Sequence, residues 1–188
     1  AVISYRTAYL KAHFPREYFA ALLTSVLGNM PKLAQYIAEC SKRSINVLSP
    51  DINRSMMYFH VSSNDILFGL LALKNVSKQF ITNIIEERKT GDFSSFEDFI
   101  ERMADRDLNK RQVESLIKSG AFDKLGTRRS QLMTSYEKIL EAAVDKKRRN
   151  LSGQIDMFSS AEIRQESPGY KYPDIPEFSL RDRLMLEK

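Results

Sequence analysis

Tryptophan is absent from these 188 residues, and cysteine occurs once, at Cys40. A lone cysteine excludes an internal disulfide and any cysteine-based zinc site, and it fits a cytoplasmic chain. Glycine and proline are scarce, 7 and 6 in all, which is too few turn formers for a sandwich or barrel and points to helices. There is no run of 18 apolar residues and no signal peptide, so a soluble cytoplasmic protein with no membrane partner is expected. The two histidines, His13 and His60, have no companion at metal-ligand spacing and read as packing or surface residues. No glycine-rich phosphate loop appears. Asp51, Asp65 and Asp92 fall in turns, where acids bond their own backbone. Nothing here builds a two-metal site, so the chain is expected to hold no catalytic residue, no metal and no cofactor.

What is present is ordinary in amount but uneven in placement. Apolar residues make up 43% and charged residues 28%, with a net charge of +5 and a pI near 9.3. A basic balance favours a polyanionic partner. Between Arg102 and Arg129 eight basic residues (Arg102, Arg106, Lys110, Arg111, Lys118, Lys124, Arg128, Arg129) face four acidic ones, a net +4. That stretch accounts for most of the excess.

The periodicity predicts a mainly helical fold with one small β-hairpin. Residues 1–14 read as the middle of a helix, and Pro15 restarts one at a position where a missing N–H costs little. Tyr18, Phe19, Leu22, Leu23, Val26 and Leu27 recur at helical spacing up to Gly28-Asn29. Leu33, Tyr36, Ile37 and Cys40 mark a further helix. INVLSPDINRS is extended and turn-rich, and MMYFHV and DILFGL, joined by SSN, read as two short strands. Four helices follow, striped by Phe80, Ile81, Ile84 and Ile85; by Phe96, Phe99, Ile100 and Met103; by Val113, Leu116 and Ile117; and by Leu132, Met133, Tyr136, Ile139 and Leu140. Ser94 with Glu97 suggests a capping box before Phe96. After Ala143 the pattern fails, and DKKRRNLSGQ reads as a charged tether. SPGYKYPDIPEF reads as extended, and SLRDRLMLEK as a helix cut short. Both ends suggest a piece of a longer protein.

Three constellations bear on function. In LKNVSKQFITNIIEER, two turn residues separate apolar ones before a helix begins, the form of a helix-hairpin-helix turn. The amides of Asn75, Val76, Ser77 and Lys78 would hold a phosphate oxygen at the helix N-terminus, with charge from Lys74 and Lys78. Many helix pairs also meet through such a turn with no ligand. In VESLIKSGAFDKLGTRRSQL, Gly120-Ala121-Phe122 makes a second turn with Lys118, Lys124, Arg128 and Arg129 around it and Lys110 and Arg111 upstream; the alternative is a solvated basic face. Together the two suggest a tandem unit astride a minor groove, touching both backbones of double-stranded DNA. The third is GQIDMF, the short peptide form read by sliding clamps. Gln154 would bond the pocket rim beside Asp156, and Met157 and Phe158 would fill an apolar groove, each contributing ~1.5–3 kcal/mol before ordering costs. The alternative is that Met157 and Phe158 fold back on their own domain.

The order SYRTAYLKAHFPREYFAALL, YIAEC, LSPDINRS, FGLLALKNVSK, ESLIKSGAFDKLG, GQIDMF closely resembles the alpha subunits of bacterial DNA polymerase III, the C-family replicative polymerases, from residue 1 to about 158. The resemblance implies that residues 1–50 end the fingers, with Arg6 and Lys11 toward nucleotide or template. It implies that 51–145 form the tandem helix-hairpin-helix region that binds emerging duplex. Residues 146–167 would be a tether carrying the clamp-binding motif Gln154, Asp156, Met157, Phe158, and 168–188 a proline-rich linker into the next element. The metal-binding aspartates, with magnesium, would lie in a palm upstream, and other replicase subunits would be reached through the intact chain. The family usually has Gly where this chain has Ser77, and often a second where it has Gln79. The rival reading is a non-enzymatic helix-hairpin-helix adaptor of repair or recombination, which would have no use for the fingers-like helix from Ser4 to Leu23.

Overall fold

In a computed structural model, backbone is described for residues 2–151 and 170–187, and side chains for the same residues except 147–151. Eight α-helices and a three-stranded sheet occur among the described residues. The fold is mainly α, as expected.

The first helix, α1 (Val2–His13), breaks at Phe14, and Pro15 opens α2 (Pro15–Ser25) at its first position, where proline loses no intrahelical bond. Helix α3 (Met30–Lys42) begins at Asn29, whose side chain accepts from the Lys32 amide at 3.2 Å. Phe19, Ala20, Leu23, Leu33 and Cys40 are buried between α2, α3 and the sheet. Helix α1 buries no residue of its own. Lys11 instead ties it down by donating to Glu39 of α3 at 2.9 Å.

The sheet has one strand more than the sequence suggests and its strands are shorter. β2 (His60–Ser62) and β3 (Asp65–Leu67) form the expected hairpin, turning through Ser63 at φ 59°. The two-residue β1 (Val47–Leu48) adds in parallel beside β3. Its pattern is too short to show a period of two, and only tertiary pairing reveals it. Met56 to Phe59 lie outside the strand because the chain there runs against Gly69: a Cβ on that glycine would sit 2.6 Å from the Phe59 amide nitrogen.

Packing does not divide at residue 50. Phe59 and Ile66 belong to the first apolar cluster, whereas Ile52 and Leu70 belong to the second. That second cluster gathers α4 (Lys78–Glu87), α5 (Phe96–Met103), α6 (Lys110–Lys118) and α7 (Arg129–Leu151) around Phe80, Phe93, Phe96, Phe99 and Phe122. The rings of Phe93, Phe96, Phe99 and Phe122 meet edge-to-face at 5.0–5.1 Å, worth ~0.5–1.5 kcal/mol per pair beyond the area they bury. The PDIN turn fastens onto this core through its polar atoms. Ile52 donates to Ala121 O at 2.9 Å, and Asn53 exchanges two bonds with Phe93.

Two expectations need correcting. The cap of α5 is Ser95, not Ser94: Ser95 Oγ accepts from the Asp98 amide at 3.1 Å, while Ser94 bonds the Asp98 carboxylate. Ser95 stands one residue nearer the helix and takes the N3 amide that a cap must satisfy. The start of the charged tether is helical: α7 runs on to Leu151, since lysine and arginine are good helix formers once a helix is nucleated. Further on, residues 170–179 run without regular structure into α8 (Leu180–Leu186), as the prolines suggest.

Candidate nucleic-acid interface

The first hairpin is a tight bend between a single 3-10 turn (Leu70–Ala72) and α4. Asn75 takes φ 60°, a conformation that asparagine tolerates better than most residues. Val76 is buried and anchors the bend in the core. Ser77 lies at φ −77°, ψ 152° and caps α4, accepting from the Phe80 amide at 3.1 Å. Serine therefore stands without strain where the resemblance implies glycine, because the positive φ falls two residues earlier. No acceptor occurs among the described residues for the amides of Val76, Ser77, Lys78 and Gln79. Ser77, Lys78 and Gln79 are exposed, so these N–H groups are open to a solvent-side anion at the positive end of the helix.

A neighbour that spacing along the chain does not reveal completes this edge. Helix α6 starts with a full capping box, in which Asn109 accepts from the Gln112 amide at 3.0 Å and Gln112 Oε1 accepts from the Asn109 amide at 3.2 Å. The same buried Gln112 donates through Nε2 to Ser77 Oγ at 3.3 Å. Two helix N-termini are thereby joined, and the residues flanking the joint, Lys78 and Arg111, are both exposed. An asparagine followed three residues later by glutamine is the signal from which the cap could have been found.

The second turn is built differently from what its sequence suggests. Gly120 at φ 80° ends α6 in a Schellman motif: its amide donates to Ile117 O at 3.0 Å, and the Ala121 amide to Leu116 O at 3.1 Å. Both residues are buried, so neither amide is available to a phosphate. Arg129 is likewise occupied. Its guanidinium, only 6% exposed, pairs with Asp123 and Glu187 at 2.7 Å and donates to Lys118 O. Bonding to Asp123 holds its proton more tightly than usual, against the opposing pull of burial.

The remaining basic residues are mostly paired. Lys118 meets Glu114, Lys124 meets Asp51, Arg128 meets Asp174 and Lys110 meets Glu141 and Glu137. Arg102 and Arg106 both serve Glu87. Of the eight cations in the basic stretch, Arg111 alone has no ion pair among the described residues. Exposed pairs such as that of Lys110 are screened by water and hold little energy, so they can be exchanged for a phosphate; the buried Arg129 does not exchange. Lys74 is exposed beside the first bend. On α1, Arg6 is exposed and Lys11 is committed to Glu39. Gln154, Asp156, Met157 and Phe158 lie outside the described residues. Among those described, no three histidines, cysteines or acids gather as a metal site, and no helix is long and apolar enough to cross a membrane.

A family model described as a helix-hairpin-helix motif matches residues 44–132, which spans both bends. The chain is 44% identical over 86% of its length to a DNA polymerase III subunit alpha of Saccharopolyspora erythraea, covering 14% of that protein. It is 40% identical over its whole length to the corresponding subunit of Borreliella burgdorferi, covering 17%, and 42% identical to that of Deinococcus radiodurans, covering 14%. The chain thus spans roughly a sixth of the length of these relatives.

Proposed function

Because the chain belongs to the family of DNA polymerase III alpha subunits, we propose that it serves a replicative DNA-directed DNA polymerase by gripping the backbone of duplex DNA, without catalytic residues of its own. The observation that supports this most directly is the joint between Ser77 and Gln112, which unites two helix N-termini beside Lys78 and Arg111. Free amides and flexible cations suit phosphate oxygens, which carry no sequence information, so the grip is indifferent to sequence. The first hairpin and the start of α6 carry the contact. Lys110, Lys118 and Arg128 add longer-range attraction after exchanging their accessible carboxylate partners, while Lys124 stays on the buried Asp51 carboxylate. Magnesium chemistry belongs to a palm elsewhere in the longer protein.

The peptide Gln154 to Phe158 is proposed to seat in the apolar pocket of a sliding clamp, which would keep the polymerase on its template. A synthetic peptide of residues 153–159 should bind a bacterial clamp, and Gln154→Ala and Phe158→Ala should abolish binding; equal binding by all three would refute this part. For DNA, anisotropy of a labelled duplex should show affinity falling with salt by a slope of about −0.9 per phosphate contact, alike for unrelated sequences. A signal insensitive to salt, or none at low salt, contradicts the reading.

A further inference from the structure

At the start of α7 the backbone amides already hold an oxyanion. Glu177 Oε2 accepts from the Arg129 amide at 2.8 Å, and its Oε1 from the Ser130 amide at 3.2 Å and from its own neighbour Phe178 at 2.8 Å. This carboxylate comes from the segment 170–187, more than forty residues further along the chain. The same segment takes the other polar handles of the second hairpin. Arg128 donates to Ile175 O at 2.9 Å and pairs with Asp174, Gln131 donates to Pro173 O at 2.9 Å, and Arg129 pairs with Glu187. Tyr170 and Tyr172 pack onto the core.

We propose that segment 170–187 is a strap that plugs the second hairpin, with the Glu177 carboxylate occupying the place of a DNA phosphate. The second hairpin's anion site is therefore not the Gly120 turn but the first turn of α7, where two adjacent amides converge on one acceptor, the geometry that suits a phosphate at a helix N-terminus. With the strap down, only the first hairpin is open to DNA. With it displaced, the amides of Arg129 and Ser130 and the side chain of Arg128 become available together. A duplex and the strap compete for one set of donors, so the state of the downstream chain sets how many phosphates the tandem unit holds. This inference rests on the duplex-binding reading above.

The test uses the whole 188-residue chain with labelled duplex over a salt series, comparing wild type with Glu177→Ala, Glu177→Gln and, as a generic loss of one negative charge on α2, Glu17→Gln. Opening the plug should raise affinity several-fold in Glu177→Ala and steepen the salt slope by about 0.9 for each phosphate gained. The Arg129 and Ser130 amide resonances should shift on adding duplex in that variant and stay still in wild type. Should Glu177→Ala fail to fold, Glu177→Gln decides, since it keeps the shape and hydrogen-bond acceptor but not the charge; it should exceed Glu17→Gln in both affinity and slope. Folded Glu177 variants with the slope of Glu17→Gln would overturn the proposal and leave Glu177 as a helix cap. A wild-type chain that binds no duplex at low salt would instead refute the duplex-binding reading itself.

Discussion

Gln112 Nε2 reaches Ser77 Oγ at 3.3 Å, so that one side chain closes the capping box of α6 and steadies the cap of α4. Gln112 is 3% exposed, and removing it takes the acceptor from the Asn109 amide and leaves Ser77 Oγ with the Phe80 amide as its remaining partner. Gln112→Ala should cost ~1–3 kcal/mol and Ser77→Ala ~1 kcal/mol. Because the two share a bond, the double variant should be non-additive by at least ~0.5 kcal/mol. Urea unfolding of the four chains measures this. Strict additivity would mean that the two caps are independent.

Asn75 carries the bend's positive φ. Asn75→Gly should leave stability near wild type, whereas Asn75→Val should cost ~1–2 kcal/mol, the penalty for a left-handed conformation in a residue with a branched Cβ. Equal urea midpoints for the two variants would show that the bend relaxes out of this conformation.

Arg129→Leu should destabilise the chain rather than weaken DNA binding directly. Its guanidinium is buried, while Asp123 and Glu187 are each 38% exposed. The abandoned carboxylates can rehydrate, so the loss should be ~1–3 kcal/mol rather than the ~3–5 kcal/mol of a fully buried pair. Thermal unfolding gives the first quantity and the salt slope of duplex binding the second. A large change in slope with stability unaltered would return Arg129 to the list of phosphate ligands.

Acid should loosen the strap. Burial pushes the Glu177 carboxyl up, but the amides of Phe178, Arg129 and Ser130, with the nearby charge of Arg183, outweigh it and hold it below its ordinary value of 4.5. A depressed carboxyl contributes stability in full above its unfolded value, and that contribution disappears as pH falls through the lower folded value. Melting temperature measured across the carboxylate range should therefore fall less steeply in Glu177→Gln than in wild type. Glu39, also held low by its bond from Lys11, should keep part of the slope in both.

The helices were legible because Phe80, Ile81 and Ile84, or Phe96, Phe99 and Ile100, repeat at a period that only a helix buries on one side. The first bend was legible for a related reason: the buried Val76 and the capping Ser77 have local signatures. What stayed hidden depends on partners distant in sequence. β1 exists through its pairing with β3. The Gly120 turn looked like an anion site because its glycine and flanking cations resemble one, yet its amides close α6 and its arginine neutralises two carboxylates. Glu177 lies 48 residues from the amide it caps, and no local pattern announces such a contact.

The most direct measurement compares duplex affinity over a salt series for wild type, Lys78→Ala with Arg111→Ala, and Lys118→Ala with Lys124→Ala. Lys78 and Arg111 are exposed and have no ion pair among the described residues, so the first double variant should melt as wild type does. Its salt slope should be shallower by about 0.9 for each phosphate contact removed, with a much smaller change in the second double variant. Binding that survives loss of Lys78 and Arg111 unchanged but collapses without Lys118 and Lys124 would contradict an interface built on the joined starts of α4 and α6.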